Sequence, residues 1–189
     1  MGTKIDQKGR ILESAARIVG QAGAAHLTID AVAEAAGLSK GGVLYHFPNK
    51  RSMLEGMLNK VLTDVGQRTA GYRAQLGDEP GAAIRARLLE EQEQSGQERA
   101  MARALLAAAA EDPGLLDPAR EFLGQSFAEI RDASAAGDQD LAQILLLAAE
   151  GLRFLEMLDM LPLSADQRQR LHQRLQALAA ETTPSASLA

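Results

Sequence analysis

Residues 27–50 read LTIDAVAEAAGLSKGGVLYHFPNK, and they are the most informative part of the sequence. Thr28 is a typical N-cap residue, and the apolar residues that follow it recur with helical spacing as far as Gly37. Ser39 is suited to cap a second short helix, which ends at about Phe47, just before a proline. Two short helices joined by a tight glycine-containing turn form a helix-turn-helix. We therefore predict a helix-turn-helix between about Thr28 and Phe47.

The same start and stop signals recur along the rest of the chain. Prolines, glycines and capping residues separate amphipathic stretches, and no strand pattern is evident. We expect an all-α fold of about nine helices, with an N-terminal three-helix head on a larger helical body. The predicted divisions are residues 1–50 for the helix-turn-helix domain, 51–181 for the body and 182–189 for a flexible tail. The predicted helices outside the helix-turn-helix begin near Ile11, Lys50, Ile84, Gly96, Asp117, Asp138 and Ser164. The predicted helix ends are near Gly23, Gly77, Glu111, Gly137, Pro162 and Glu181.

The charge is distributed unevenly, although the net charge of the whole chain is only −5. Residues 1–60 contain eight Lys or Arg and five Asp or Glu, a net charge of +3, whereas the remainder carries −8. A basic head on an acidic body is expected when only the head meets phosphate groups. The apolar fraction of 46% with only 3% aromatic residues is typical of a helical, globular protein.

The chain has no cysteine, which excludes disulfides, thiolate nucleophiles and cysteine-ligated zinc and suits a reducing compartment. The most apolar window, Leu141–Leu161, is about as long as a membrane span. It is interrupted at short intervals by Glu150, Arg153, Glu156 and Asp159, so we expect a buried helix instead. These features predict a cytoplasmic protein without a membrane anchor.

The segment from about Ile11 to Leu58 resembles the DNA-binding head of the tetracycline-repressor (TetR/AcrR) family. The most specific residues of this resemblance are Ser39-Lys40-Gly41, Tyr45-His46-Phe47 and Asn49-Lys50. Two positions depart from the commoner pattern, because Gly42 stands where Thr is frequent and Leu44 where an aromatic residue often occurs. A hydroxyl contact to DNA at Gly42 is therefore lost.

The resemblance and the residue types together predict a DNA-reading surface. A recognition helix must be slim enough to enter the major groove, and the leading turn of this helix offers one cation, Lys40, with almost no other side-chain bulk. The N-termini of the three successive helices suit phosphate oxygens, because their N–H groups are unsatisfied. Lys40 is the expected base reader, and Val43, Leu44 and Phe47 are expected in the core. The expected DNA contacts are Thr28, Ser39, Lys40, Gly41, Gly42, Tyr45, His46, Asn49 and Lys50.

Each of these residues also has a purely structural interpretation. Thr28 and Ser39 could serve only as helix caps, and Lys40 could be a solvated lysine on the surface. A half-buried position is the alternative for Tyr45, and a packed neutral ring for His46. Two helical glycines cost about 1 kcal/mol each relative to Ala, so we expect a compensating reason, and we favour close approach to DNA over a local kink.

In the family that the head resembles, the body binds a small molecule and its last two long helices pair with a second subunit. The resemblance therefore implies an unidentified effector and a homodimer formed by helices at about 138–161 and 165–181. A ligand-responsive repressor bound to a palindromic operator would follow, released when the effector shifts the fourth helix. Ordinary core packing is the alternative for the candidate ligand-binding residues, which are Met101, Leu105, Phe122, Phe127, Phe154 and Met157.

An enzyme has little support in this sequence. The histidines His26, His46 and His172 lack metal-ligand spacing, and no glycine-rich phosphate loop follows a strand. We expect no catalytic residue, no metal site and no cofactor. The other open classes are a helical protein that binds a ligand or partner without contacting DNA, which salt-dependent DNA affinity would distinguish, and a helical-bundle enzyme.

Overall fold

The computed structural model describes residues 7–93, 95–134 and 137–182. Within these ranges the chain forms nine α-helices and no strand, as the sequence predicts. Two short 3-10 turns, Ala24–His26 and Pro113–Leu116, were not expected. The helices are α1 Gln7–Ala22, α2 Ile29–Ala36, α3 Lys40–His46, α4 Lys50–Leu76, α5 Ala82–Gln92, α6 Gly96–Ala109, α7 Asp117–Ala133, α8 Gln139–Met157 and α9 Ala165–Ala180.

The described residues form two compact units. The first contains the residues up to Leu62 together with Gly96–Ala119, and the second contains Thr63–Ser95 and the residues from Arg120 onward. A break at residue 50 does not appear in the packing, because the first turns of α4 carry apolar side chains such as Met53 and Met57 that bury in the first unit. The functional boundary at residue 50 stays a prediction.

The core of the first unit is built from the apolar faces of α1 to α4 and α6. Ile11, Val32 and Val43 are fully buried, and Phe47 closes this core after α3. Helix α4 approaches closely at Gly56, where a Cβ atom would lie 2.7 Å from the Phe47 ring. Glycine is therefore required by packing at this point in the middle of a helix, where its intrinsic propensity is poor.

The core of the second unit lies between α5, α7, α8 and α9. Ile84 and Leu88 of α5 pack with Leu146 of α8. Gly81, which precedes α5 with a φ of +65°, lies so close to α9 that a Cβ atom would stand 1.8 Å from the Ala179 carbonyl oxygen. Both its backbone conformation and this contact demand glycine.

The end of α8 differs from the sequence prediction. We expected a helix reaching Pro162, but α8 ends at Met157. Asp159 has a φ of +57°, a left-handed conformation that non-glycine residues rarely adopt, and the Met160 N–H donates to the Leu155 carbonyl at 2.8 Å. The apolar pattern continues beyond the turn, so it could not mark the end of the helix.

The start of the predicted flexible tail is also different. Thr182 is fully buried, its hydroxyl donates to the Ala179 carbonyl at 2.8 Å, and its own carbonyl accepts from the Asp138 N–H at 3.0 Å. These two bonds attach the end of α9 to the start of α8. The rest of the predicted tail, residues 183–189, lies outside the described residues.

Candidate DNA-reading surface and ligand cavity

The turn between α2 and α3 is made by a left-handed glycine. Gly37 has a φ of 62°, and its N–H donates to the carbonyls of Ala33 and Glu34. The Leu38 N–H donates to the same Ala33 carbonyl at 2.9 Å, so the last carbonyls of α2 are satisfied. The chain then turns sharply enough for α3 to begin only three residues after Gly37.

Both short helices are capped by the residues that the sequence suggests. The Thr28 hydroxyl oxygen accepts from the Ala31 N–H at 3.1 Å, and the Ser39 hydroxyl oxygen accepts from the Gly42 N–H at 3.1 Å. Each cap uses the hydroxyl as an acceptor, so its O–H remains able to donate to a phosphate oxygen. Capping and DNA contact are therefore compatible at Thr28 and Ser39.

Two arginines that sequence reasoning missed hold α2 in place. Arg10 and Arg17 of α1 donate to the carbonyls of Ala36 and Ala35 at 2.5 and 3.2 Å. These bonds satisfy carbonyls at the end of α2 and connect it to α1. The sequence signal was their spacing of seven residues, which places both guanidinium groups on one side of α1.

Helix α3 has a buried and an exposed face. Val43 and Phe47 are buried, as expected, but Leu44 is 37% exposed, so its predicted core position is wrong. It lies about 100° around the helix from Val43 and points away from the core. Tyr45 is 84% exposed, which excludes a half-buried ring, and its ring meets that of His46 edge-on with 5.1 Å between centroids.

The expected base reader, Lys40, is paired within the chain. Its ammonium nitrogen lies 3.0 Å from the Asp30 carboxylate, and both side chains are exposed. The pair joins the first turn of α2 to the first turn of α3. Asp30 is thus an acidic group on the surface that would face phosphate, which the sequence analysis did not consider.

Packing within the described chain does not explain why residues 41 and 42 are glycines. Apart from its chain neighbours and the backbone of its own helix, a Cβ atom at Gly41 would come no closer than 4.0 Å to a described atom, and one at Gly42 would lie 3.4 Å from the Ser39 hydroxyl, an ordinary contact. Neither glycine has a positive φ. The chain itself would tolerate alanine at both positions.

The start of α4 completes this surface. The Asn49 side chain accepts from the Ser52 N–H at 2.8 Å, while the Ser52 hydroxyl accepts from the Asn49 N–H at 3.2 Å. These reciprocal bonds order the first turn of α4, where Lys50 is exposed. We define the reading surface as Thr28, Ser39–Gly42, Tyr45, His46, Asn49 and Lys50.

The second unit contains a cavity of about 430 Å³ between α4, α5 and α7. This volume is within the range of about 300–1,000 Å³ that is usual for small-molecule sites. Its walls are mostly apolar, with three charged side chains among them. We call it the body cavity, and it is lined by Gly66, Thr69, Ala70, Arg73, Ala83, Arg87, Phe122, Gln125, Ser126, Glu129, Ile130 and Ala133.

A buried network of ion pairs fixes one wall of the body cavity. Arg87 is only 3% exposed and pairs with Glu90 and with Glu150 of α8, the latter at 2.5 Å. Arg68 pairs with Glu90 at 2.8 Å, and Arg153 with Glu150. Buried charges are costly to bring out of water unless each is paired, so this network holds α4, α5 and α8 in a defined arrangement.

Next to this network lies a second buried acid, Glu91. Burial raises the pKa of Glu91 to about 8, and the Glu150 and Glu156 carboxylates add to the effect. One of its oxygens, Oε2, has no hydrogen-bond partner among the described residues. Glu91 is therefore neutral at pH 7 in the folded protein.

The six candidate ligand-binding residues do not share one location. Met101 and Leu105 are core residues of the first unit, Met157 is buried, and Phe154 is 50% exposed on α8. Phe127 packs against the core of the second unit, and Phe122 is the member of the set that lines the body cavity. Met and Phe at helical spacing indicate burial, but they do not distinguish side chains of the packed core from side chains that line a cavity.

Helix α8 carries an exposed apolar face. Ile144, Leu147, Phe154 and Leu155 are exposed and recur at intervals that place them on one side of the helix. On α9, Leu171 is exposed as well. Exposed apolar patches of this kind mark contact surfaces for other molecules.

Two further findings concern the described ranges only. They contain no group of three His, Asp or Glu side chains placed to hold a metal ion. No helix in them combines the length and the apolarity that a membrane crossing requires.

Comparisons with known proteins agree with this architecture. Residues 11–57 match the family described as "Bacterial regulatory proteins, tetR family", and residues 79–180 match "Tetracyclin repressor-like, C-terminal domain". The HTH-type transcriptional regulator BetI of Burkholderia thailandensis is 31% identical over 86 residues, which are 46% of this chain and 44% of BetI. The match thus spans less than half the length of that curated relative.

Solved structures show the same fold over nearly the whole chain. A member of the TetR family from Streptomyces coelicolor has a TM-score of 0.67 at 22% identity, covering 95% of this chain and 99% of that one. The multidrug binding protein EbrR complexed with ethidium has a TM-score of 0.68 at 22% identity, covering 95% and 100%. With a family match that covers more than half of the sequence, the chain belongs to the tetracycline repressor-like family of bacterial transcriptional regulators.

Proposed function

We propose that this protein is a dimeric repressor that binds a palindromic operator through the reading surface and leaves it when a small molecule occupies the body cavity. The DNA-binding part of this proposal rests on Gly41 and Gly42, because packing within the described chain does not require glycine at either position. Each glycine destabilises the helix by about 1 kcal/mol relative to alanine, and this cost is offset when another molecule must approach the helix backbone closely. The backbone of the first turn of α3 then approaches the major groove.

Around that turn, the other groups of the reading surface suit a phosphate backbone. Thr28 and Ser39 retain hydroxyl donors, Tyr45 is almost fully exposed, and Lys50 lies at the N-terminus of α4. Contacts to phosphate fix orientation, whereas Lys40 is the side chain available to a base edge. Specificity would then depend on Lys40, on backbone approach and on DNA shape.

The exposed apolar face of α8 supports a dimer. A second copy of the chain would bury Leu147, which is 60% exposed, and its neighbours on α8 and α9. Symmetric dimers present two equivalent recognition helices to successive major grooves, which is why a palindromic site is expected.

The body cavity supports regulation by a small molecule. Helix α4 begins at Lys50, the last residue of the reading surface, and further along it lines the cavity with Gly66, Thr69, Ala70 and Arg73. A ligand that fits better when α4 is shifted would favour a DNA-incompetent state, because a ligand moves an equilibrium only through different affinities for its two states.

The test begins by selecting genomic DNA fragments that the full chain binds. Gel-shift titrations of the selected site then compare Lys40→Ala, which should lose about 1–3 kcal/mol of binding if Lys40 reads a base, with Lys50→Ala, which should weaken all sequences alike. If both variants bind as tightly as the parent protein, the assigned reading surface is wrong.

A second experiment uses the two glycines. The double variant Gly41→Ala and Gly42→Ala should unfold at higher denaturant concentration, because each alanine stabilises a helix by about 1 kcal/mol, but should bind the operator more weakly. Gly71→Ala, in an open position of α4, is the control for stability without a DNA effect. Unchanged operator affinity in the double variant would contradict close backbone approach.

A further inference from the structure

We propose that the ligand of the body cavity is a small organic monoanion, a carboxylate attached to an apolar body no larger than one ring. This inference rests on the proposed function in one respect, since it takes the body cavity as the effector site. The argument comes from the polar atoms of the cavity wall, from its charged side chains and from its apolar part.

Two polar atoms that belong to lining residues lie just behind the cavity surface, buried and without a hydrogen-bond partner among the described residues. They are the hydroxyl oxygen of Thr69 on α4 and the Nε of Arg87 on α5. Each Nη atom of Arg87 donates to a glutamate, to Glu90 and to Glu150, whereas its Nε has no partner among the described residues. Unsatisfied buried polar groups are uncommon in native proteins, and each favours a ligand that completes its hydrogen bonding.

Both of these groups are able to donate to the same kind of atom. A guanidinium N–H has no acceptor capacity, and a threonine O–H donates freely. The complementary ligand atom is therefore an acceptor, and a carboxylate oxygen makes the stronger, charge-assisted bond.

The charged side chains at the cavity also favour a negatively charged ligand. The wall carries Arg73 and Arg87 against Glu129, and the ion-pair network behind it adds Arg68 and Arg153 against Glu90 and Glu150, so the positive charges exceed the negative ones by one. Arg73 and Glu129 are both exposed, so water weakens the field of each, and the excess positive charge belongs to the buried network around Arg87. A cationic ligand would meet an unfavourable potential here.

The apolar part of the wall limits the body of the ligand. Phe122 contributes the aromatic surface, and its ring already receives the Arg87 guanidinium at 5.9 Å from the centroid. The remaining apolar wall is Ile130 and small residues, which offer no second ring for a broad planar molecule to stack against. A single ring or a short aliphatic chain fits this surface.

A second cavity, of about 480 Å³, lies in the first unit, but its lining does not favour a ligand of a particular charge. Its charged rim includes Lys50, Arg51, Glu111 and Asp112. Arg51 is already paired with Glu55 and with Asp112, and none of the lining side chains is among the buried atoms that lack a partner. We therefore assign the ligand to the body cavity.

The test compares three probes that share one apolar body and differ in charge: phenylbutyrate, phenylbutanamide and phenylbutylammonium. Isothermal titration calorimetry on the full chain, without DNA, should find the carboxylate bound about tenfold or more tightly than the amide, with the ammonium weakest. Arg73→Gln should lower carboxylate affinity about three- to tenfold and leave the amide unchanged, Thr69→Val should weaken the carboxylate and the amide alike, and Glu129→Gln should raise carboxylate affinity.

The control variant is Arg174→Gln, which removes the same charge from an exposed position of α9 that does not line the cavity. Equal affinity for the three probes, preference for the ammonium, absence of binding by all three, or equal effects of Arg73→Gln and Arg174→Gln would each overturn the proposal. A separate gel shift with phenylbutyrate tests regulation. If the carboxylate binds selectively but does not release DNA, the ligand class stands and the proposed repressor mechanism fails.

Discussion

Asp30 holds the ammonium group of Lys40, with the lysine nitrogen 3.0 Å from each carboxylate oxygen. The pair connects the two helices of the helix-turn-helix through their exposed first turns. An exposed ion pair contributes only about 0–1 kcal/mol to stability, so its importance lies in binding. In the proposed complex, DNA would compete with Asp30 for the lysine and would also meet a carboxylate near its phosphates.

Asp30→Asn should therefore strengthen DNA binding. The substitution removes a negative charge from the reading surface and releases Lys40, and we expect affinity for operator and random DNA to rise about three- to tenfold at low salt. Gel shifts at two salt concentrations measure the effect. Glu34→Gln removes an exposed acid from the other end of α2, and an equal gain with this control would show that net charge, not the release of Lys40, is responsible.

Gly56→Ala should destabilise the first unit. The added Cβ would lie 2.7 Å from the Phe47 ring and 3.1 Å from Leu12, so the core must shift at a cost of about 1–3 kcal/mol. Chemical denaturation monitored by circular dichroism gives the change. In the same helix, Gly71 has nothing within 4 Å of its Cβ position, and Gly71→Ala should stabilise by up to about 1 kcal/mol. Equal effects of the two variants would refute the packing argument.

Glu91 makes stability depend on pH with a defined sign. Its pKa is raised by burial from 4.5 to about 8 in the folded protein. Between these pH values the unfolded chain has lost the proton and the folded chain keeps it, so the free energy of unfolding falls as pH rises and levels off above about 8. At lower pH than 4.5 the contribution of the neutral carboxyl is fully present.

Glu91→Gln should remove this dependence. The amide cannot ionise, so the variant should gain stability relative to the parent as pH rises from 5 to 9, by at most about 5 kcal/mol. Urea unfolding at pH 5, 7 and 9 measures the difference. Glu181→Gln, at an exposed position after α9, is the control. A difference between Glu91→Gln and the parent that is the same at all three pH values would contradict a neutral buried carboxyl.

Leu147→Glu should prevent self-association. The substitution places a charge on the exposed apolar face of α8, and burial of an unpaired charge in a subunit interface is strongly unfavourable. Sedimentation velocity should show a dimer for the parent and a monomer for the variant. Leu44→Glu places the same charge at an exposed leucine of α3 and should remain dimeric. A dimer with Glu at 147 would place the interface elsewhere.

The helix-turn-helix could be predicted from local chemistry because its boundaries are local. Thr28, Gly37 and Ser39 act through their own hydroxyls or backbone angles on atoms a few residues away. The exposure of Leu44 and the pairing of Lys40 with Asp30 depend on how α2 and α3 pack, and the sequence does not specify this.

The body cavity was beyond sequence reasoning for a similar reason. Its wall joins α4, α5 and α7, and its informative residues are polar ones, such as Thr69 and Arg87, that carry no periodic signal. Apolar periodicity identified core residues such as Met101 instead. The end of α8 was missed because Met160 and Leu161 continue the apolar pattern after Asp159 has turned the chain.

The two glycines at the front of α3 also bear on how such a regulator diverges. Because neither Cβ position is obstructed, a single nucleotide change can place a Cβ atom at Gly41 or Gly42 without a clash inside the described chain. Val43 and Phe47 lie buried on the opposite face, so a substitution at either position would disturb the core. If α3 reads DNA as proposed, a duplicated copy of this gene has two positions at which recognition of a different operator can evolve while the fold is retained.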